Sequence, residues 1–149
     1  MASGAQLTLR VITPDAIVLD EPVRSVRIPG LDGSIGILPR HAPMVAAMDV
    51  GLLRYRDGGA EQFLYVSPGF AEVRDDTLRV VCESATPAKE IDAERARAAE
   101  QRARERLAKA QSGGPDAEHI DVPRAEASLK RALMRLQIFD QVAKGLGAH

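Results

Sequence analysis

Residues 52–82, LLRYRDGGAEQFLYVSPGFAEVRDDTLRVVC, contain short apolar stretches separated by turn-forming residues. Glycine accepts the positive φ of tight turns, so Asp57-Gly58-Gly59-Ala60 is typical of a hairpin turn. The run Arg74-Asp75-Asp76 occupies the same position between the next two stretches. The segment therefore predicts two β-hairpins, whose strands cover residues 52–56, 62–66, 70–73 and 77–82.

Two earlier segments, residues 7–11 and 24–28, alternate apolar and polar side chains. Such alternation indicates half-buried strands, and short strands at this spacing favour a β-sandwich or a barrel. The glycine-rich segment 30–36 matches neither a phosphate-binding loop nor a dinucleotide-binding fingerprint. We therefore interpret it as a turn cluster on the sheet.

The composition of the chain changes near Pro87. Residues 1–88 contain 8 of the 12 Gly and 7 of the 9 Pro, and their charges sum to −3. Residues 89–149 contain few turn formers, and their charges sum to +2. We therefore predict a β domain over residues 1–88 followed by an α domain over residues 89–149.

Two helices are predicted in the second half. Residues 90–111 lack Gly and Pro, and Ser112-Gly113-Gly114-Pro115 provides a stop signal after them. A second helix is predicted from about Pro123 to Lys144, with Asp121 as its N-cap. The glycine turn between the two helices predicts an antiparallel two-helix hairpin.

Each predicted helix carries an apolar stripe whose spacing of three and four residues places it on one face. The stripes consist of Ala96, Ala99, Ala103, Leu107 and Ala110 on the first helix, and of Ala125, Leu129, Ala132, Leu136, Phe139 and Ala143 on the second. Burying an alanine methyl stabilises far less than burying a leucine, so we expect weak docking and a hairpin that opens. The alternative is a rigid, close-packed alanine seam.

Composition excludes several classes of protein. A formal net charge of −1, 3% aromatic residues and the absence of Trp disfavour nucleic-acid binding. The single cysteine, Cys82, excludes an internal disulfide, and no apolar run approaches the roughly 20 residues of a membrane helix. The N-terminus lacks the regions of a signal peptide. We therefore expect no secretion, no direct membrane insertion and no nucleic-acid partner.

The residue pattern predicts no catalytic residues and no metal site. His41, His119 and His149 are too scattered to form a metal-ligand set. Ser67 lacks the Gly-x-Ser-x-Gly context of a nucleophile elbow. We therefore expect a protein that is not an enzyme on its own and requires no cofactor.

Arginines form a further stripe on each predicted helix. At about 100° per residue, the members of each stripe fall within about 40° of one another. They are Arg95, Arg102 and Arg106 on the first helix, and Arg124, Arg131 and Arg135 on the second. In a closed hairpin these guanidinium groups would converge on a counter-anion, and their forks suit phosphate oxygens. Two alternatives stay open: basic faces paired with nearby glutamates, or opened helices laid on an acidic protein surface.

Three segments carry a resemblance to a known family. Residues 30–43, GLDGSIGILPRHAP, resemble the hallmark segment of the epsilon subunit of the F-type rotary ATP synthase. Residues 66–73, VSPGFAEV, resemble its second signature. Residues 91–96, IDAERA, match the motif that begins the family's C-terminal helices. These ordered matches cover nearly the whole chain.

The resemblance implies a ten-stranded β-sandwich that docks on the rotor, against the gamma subunit and the c ring. The rotor contact would include Ser34 and His41 in the hallmark segment. The resemblance also implies a helical hairpin that extends toward the alpha and beta subunits and inhibits ATP hydrolysis. The location implied is the cytoplasmic face of the bacterial cell membrane, as a peripheral part of a proton-driven synthase.

In some bacterial members of this family, ATP binds the folded hairpin as a regulatory ligand. Residues matching that site here are Ile91, Asp92, Arg95 and Ala96 of the motif, and the arginines Arg102, Arg106, Arg124 and Arg135. A free-standing ATP-sensing binding module is the alternative function. Co-purification with a gamma subunit distinguishes the two.

Overall fold

In a computed structural model, which describes residues 4–145, ten β-strands precede two α-helices. The predicted order, a β part followed by a helical hairpin, is confirmed. His149 and the last residues of the predicted 89–149 domain lie outside the described residues. The strands are β1 (Leu7–Ile12), β2 (Ile17–Val23), β3 (Ser25–Gly30), β4 (Gly33–Ile37), β5 (Met44–Met48), β6 (Gly51–Arg56), β7 (Glu61–Val66), β8 (Gly69–Arg74), β9 (Thr77–Cys82) and β10 (Ala85–Pro87).

The strands form a sheet that folds back on itself. Its hydrogen-bonded order is β10-β7-β6-β3-β5-β8-β9-β1-β2, and β4 pairs with β3 alone. Strand β3 connects the two layers, because Ser25 to Arg27 pair with β6 while Gly30 pairs with Met48 of β5. The inward side chains of both layers meet in one core, in which Leu9 and Leu53 are fully buried. The predicted sandwich is therefore confirmed.

Four strands lie where the residue pattern predicted none: β2, β4, β5 and β10. The interpretation of residues 30–36 as a turn cluster is wrong, because Gly33–Ile37 is a strand and the turn is confined to Leu31 and Asp32. Strand β2 contains Asp20, Glu21 and Pro22, and it lies at one end of the sheet order. Charged residues and proline are common on edge strands, and they interrupt the alternation of apolar and polar residues from which strands are predicted.

The helices are α1 (Ala93–Ser112) and α2 (Val122–Ala143), with short 3₁₀ turns at Ala88–Glu90 and Ala117–His119. Helix α1 begins later than predicted because the Asp92 carboxylate caps it. The predicted cap Asp121 is confirmed, since its Oδ1 accepts a hydrogen bond from the Arg124 N–H at 3.1 Å.

The two helices meet through buried alanines. Ala96 and Ala103 of α1 and Ala125 and Ala132 of α2 are almost inaccessible to solvent. Alanine has no side chain beyond Cβ, so two such faces approach each other closely. The alanines of the two predicted stripes therefore meet in one seam, and α1 packs on α2 while α2 packs on β6 and β7.

Helix α2 rests on the sheet through a second apolar cluster, separate from the sandwich core. The buried members of this cluster, called the docking cluster below, are Val50, Tyr65, Ala88, Ile91 and Ile138. Ile138 is absent from the predicted stripe because it lies on a different face of α2. A single-stripe pattern describes a helix with one neighbour, whereas α2 has two.

The docking cluster is supported by one ion pair at its edge. The Nζ of Lys130 in α2 lies 3.0 and 2.9 Å from the two carboxylate oxygens of Asp49, in the turn before β6. The Lys130 ammonium lowers the pKa of Asp49, chiefly through this hydrogen bond. The hairpin is therefore held on the sheet by a small apolar cluster and by polar contacts at its edge, including this partly exposed ion pair.

Candidate functional site

An open cavity of about 420 Å³ lies where β10, the first turns of α1 and the middle of α2 meet. Its walls combine three cations with two carboxylates and a set of small or apolar residues. The lining residues are Thr86, Glu90, Ile91, Asp92, Arg95, Ala96, Ala99, Arg102 and Arg135. This volume lies within the range of pockets that hold small-molecule ligands. We call it the arginine cavity.

The structure brings together six of the eight residues predicted to bind ATP. Ile91, Asp92, Arg95, Ala96, Arg102 and Arg135 all line the arginine cavity. The other two, Arg106 and Arg124, line a separate depression of about 330 Å³ near His119. The arginines of the two stripes therefore do not converge on one site. Each turn of a helix advances about 5.4 Å along its axis, so arginines on the same face lie at different positions along the hairpin.

Arg131, the remaining arginine of the stripe, contacts its own helix. Its Nη2 donates a hydrogen bond to the Ser128 Oγ at 3.1 Å. It does not line either depression. Its place in the stripe therefore does not bring its guanidinium into the arginine cavity.

The residues of the motif at 91–96 divide between structural and chemical roles. Ile91 is 6% exposed and belongs to the docking cluster, and Ala96 is buried in the alanine seam. Asp92 is the N-cap, with its Oδ1 3.1 Å from the Arg95 backbone nitrogen. Arg95 is the residue of this motif that contributes a positive charge to the arginine cavity.

The arginines of the cavity are not neutralised by ion pairs. Among residues 4–145, no carboxylate oxygen lies within 4.0 Å of the guanidinium groups of Arg95, Arg102 and Arg135. Glu100, one of the glutamates that offered an alternative partner, pairs with Arg104 at 2.9 Å instead. Unpaired guanidinium groups in one cavity attract an anion, and their forks match phosphate and carboxylate oxygens.

Arg135 is held in place by the sheet. Its Cζ lies 4.2 Å from the centroid of the Tyr65 ring, and its Nη2 donates to the Ser84 Oγ at 3.4 Å. Burial raises the pKa of Tyr65 even though the Arg135 charge opposes that rise, so the hydroxyl stays protonated. The sequence analysis did not identify Tyr65 and Ser84. They lie 70 and 51 positions before Arg135 in the chain, and no local sequence pattern connects residues that far apart.

Two further residues line the cavity: Thr86, which stands where a nucleotide-binding relative of the family carries an acidic residue, and Glu90, which the sequence analysis did not predict. Thr86 and Glu90 flank the chain segment that enters α1. The proximity of Glu90 to the motif at 91–96 in the sequence is the signal that would have found it. Glu90 adds negative charge, so the cavity walls carry three positive and two negative side chains.

The residues predicted to contact the rotor lie in and beside β4. Ser34 is exposed on β4, and its Oγ accepts a hydrogen bond from Nη1 of Arg27 at 3.2 Å. His41 lies in the following loop, with Nδ1 2.7 Å from the Ala42 carbonyl oxygen. Arg40 in the same loop has φ 65°, and its N–H donates to the Asp76 carboxylate at 2.6 Å. This bond fixes the loop against the β8–β9 turn.

Large apolar side chains are exposed near this segment. Val45 is 71% exposed and Leu31 is 62% exposed, and they line the same shallow depression as Ser34. Phe70, 49% exposed, lies on β8 opposite Ala47 of β5. Exposed apolar groups collected on one face are typical of an interaction surface. We call Leu31, Val45 and Phe70 the apolar patch; the residue pattern alone had not singled it out.

The comparisons with known proteins agree with this architecture. One family model, described as "ATP synthase, Delta/Epsilon chain, beta-sandwich domain", matches residues 6–88. A second, described as "ATP synthase, Delta/Epsilon chain, long alpha-helix domain", matches residues 89–140. The chain belongs to the ATP synthase delta/epsilon family. The resemblance drawn from the three sequence segments is thus confirmed.

Bacterial members of the family are similar over most of the chain. The ATP synthase epsilon chain of Nitratidesulfovibrio vulgaris (strain DP4) is 43% identical over 132 residues, which are 89% of this chain and 94% of the relative. The epsilon chain of Halalkalibacterium halodurans is 42% identical, with 89% and 96% of the two chains covered. The chain is accordingly a non-catalytic ATP synthase subunit of the epsilon type.

Solved structures show the same fold. A chain of the Euglena gracilis mitochondrial ATP synthase, solved as OSCP/F1/c-ring, is 28% identical with a TM-score of 0.62, covering 97% of this chain and 86% of that one. A chain of the Tetrahymena thermophila mitochondrial ATP synthase central stalk and c-ring has a TM-score of 0.57 at 13% identity, covering 95% and 98%. The second likeness concerns the fold alone.

Membrane-spanning helices and metal-ligand clusters are both absent from residues 4–145. Neither helix in that range has the length and apolarity needed to cross a membrane. The same residues contain no group of three His, Cys, Asp or Glu side chains that could hold a metal ion.

Proposed function

We propose that the chain is a central-stalk subunit of a proton-translocating ATP synthase, coupling the c ring and the gamma subunit to the catalytic alpha and beta subunits. The apolar patch supports this proposal, because it offers a surface for a partner beside Ser34. Through these partners the chain would lie at the cytoplasmic face of the bacterial cell membrane, as a peripheral component.

The C-terminal hairpin is the regulatory element in this proposal, and it inhibits ATP hydrolysis when it extends toward the catalytic subunits. The observation that carries the proposal is the separation of the docking cluster from the sandwich core. Because no core side chain of the sandwich comes from the hairpin, α2 leaves the sheet without exposing that core. Hinged elements of this kind are common in switching proteins.

ATP is the regulatory ligand of the closed hairpin in this proposal. Arg95, Arg102 and Arg135 come from both helices, so only the closed hairpin presents them to one polyphosphate. A ligand shifts a conformational equilibrium through its difference in affinity between the states, so ATP would favour the closed state. In the extended state the same arginines would face acidic surfaces of the catalytic subunits.

The test of inhibition uses the reconstituted synthase. ATP hydrolysis is measured with the full chain and with a chain ending at Ala88. We expect faster hydrolysis with the truncated chain at equal incorporation of the subunit. Equal hydrolysis rates would overturn the inhibitory role.

The test of ATP binding is calorimetric titration of the full chain. Arg95→Ala should weaken binding, and the double variant Arg124→Ala and Arg135→Ala should weaken both binding and inhibition. Arg97→Ala is the matched control, because Arg97 lies on α1 outside the cavity lining. No binding at millimolar ATP would remove the sensing role while leaving the coupling role intact.

A free-standing ATP-sensing module is the second candidate function. It is favoured by one observation: the arginine cavity combines Arg95, Arg102 and Arg135 in a volume of about 420 Å³, which suits a small anionic ligand. The two functions differ in their partners. A rotor subunit co-purifies with gamma in near-equal amounts, whereas a free-standing module is recovered alone.

A further inference from the structure

Arg135 takes part both in the arginine cavity and in the contact between α2 and the sheet. Its guanidinium lines the arginine cavity, and the same group lies over the Tyr65 ring of β7 and reaches Ser84. The other cavity arginines, Arg95 and Arg102, project from α1, whose main packing partner is α2. Among the described residues, Arg135 is the cavity arginine that stacks on a sandwich ring and donates a side-chain hydrogen bond to the sandwich.

The platform under Arg135 is rigid. Tyr65 has no exposed surface, and it is surrounded by the docking cluster, including Ile91 and Ile138. An aromatic face attracts a guanidinium through its quadrupole, more strongly where water is excluded. A long, flexible side chain such as arginine loses less freedom on binding an anion when it is already fixed by stacking.

We propose that Tyr65 and Ser84 are positioning residues of the anion site, acting through Arg135. The Tyr65 ring fixes the plane of the guanidinium, and the Ser84 hydroxyl occupies one of its donors, leaving the remaining N–H groups for phosphate oxygens. The inference rests on the proposed binding of ATP in the arginine cavity. It adds that the sandwich, and not the hairpin alone, builds the site.

The experiment is calorimetric titration of the full chain with ATP and with inorganic tripolyphosphate. Tyr65→Leu removes the aromatic face, and we expect about fivefold weaker binding of both probes. Tyr65→Phe retains the ring and is the matched control; we expect wild-type affinity. Ser84→Ala should weaken binding by about twofold, since it removes a single long hydrogen bond.

A double-mutant cycle separates positioning from a general structural effect. In an Arg135→Ala background, Ser84→Ala should leave the affinity unchanged, because the group that Ser84 positions is gone. A further loss in that background, or an unchanged affinity for both single variants, overturns the inference. If circular dichroism shows that Tyr65→Leu does not fold, the Ser84→Ala cycle alone decides. Failure of the wild-type chain to bind either probe overturns the proposed ATP site, and this inference with it.

Discussion

Replacing Ile138 by alanine should release the hairpin from the sheet while leaving the sandwich intact. Ile138 is 1% exposed and is the buried residue that α2 contributes to the docking cluster. The sandwich core contains no residue of α2, so its packing does not depend on this side chain. The substitution therefore acts on the docking equilibrium and not on the fold of the sheet.

The magnitude follows from the depth of burial. Truncating a fully buried isoleucine to alanine costs about 2–5 kcal/mol, and less where neighbours relax into the space. Met134 and Val142 at the edge of the cluster are only partly buried, so they can relax. We therefore expect a loss of about 3 kcal/mol, which shifts the ratio of closed to open hairpin by about 100-fold.

Native-state hydrogen exchange measures this shift separately in the helices and the strands. Isolated helices are marginally stable in water, so a detached α2 exchanges quickly. Amides of α2 should exchange about 100-fold faster in Ile138→Ala, whereas amides of β8 and β9 should keep their protection. Equal acceleration in helices and strands would show that the chain unfolds as one cooperative unit, and would refute the reasoning.

A matched control lies on the same helix. Leu133 is 40% exposed, so Leu133→Ala removes apolar atoms from α2 without emptying the docking cluster. We expect its exchange rates to stay within about twofold of wild type, because exposed substitutions have small effects. A large acceleration in this variant would indicate that helix propensity, and not docking, controls the exchange of α2.

Three further predictions concern other parts of the chain. Residues 1–88 alone should keep the β-sheet circular dichroism spectrum, because the main core is built from the sandwich strands. Asp49→Asn should cost about 0.5 kcal/mol at pH 7, as expected for a partly exposed ion pair with Lys130, measured by urea unfolding. The difference should begin to shrink as the pH falls below about 4 and should vanish only below the lowered pKa of Asp49 in the folded chain, where protonation removes its charge. Ser34→Trp and His41→Glu should weaken co-purification with gamma while the circular dichroism spectrum stays unchanged.

Each of these predictions has an outcome that contradicts it. An unstructured fragment 1–88 would mean that the hairpin is needed for the sheet to fold. A stability difference for Asp49→Asn that does not decline as the pH falls from about 5 to about 2 would place its origin outside the charge of the pair. Unchanged assembly of the Ser34 and His41 variants would move the rotor contact away from the hallmark segment.

The sequence by itself determined the features that depend on neighbouring residues. These features are the β-hairpins around residues 57–60 and 74–76, the N-cap Asp121 and the left-handed Gly113 that ends α1, all of which depend on local backbone geometry. Caps and turns arise from hydrogen bonds and φ preferences within a few residues, so a linear pattern is sufficient to find them. The motif at residues 91–96 likewise identified one wall of the cavity.

Only the tertiary structure decided what meets across long sequence separations. Nothing in the sequence places Arg135 on Tyr65, assigns Ile138 to the sheet, or divides Arg106 and Arg124 from the other cavity arginines. Helical periodicity gives the angle of a side chain around its axis but not the element that covers it, and α2 is covered on two sides. The direction in which α2 docks is set by burial against β6 and β7 together with the segment that enters α1, which is a property of the assembled molecule.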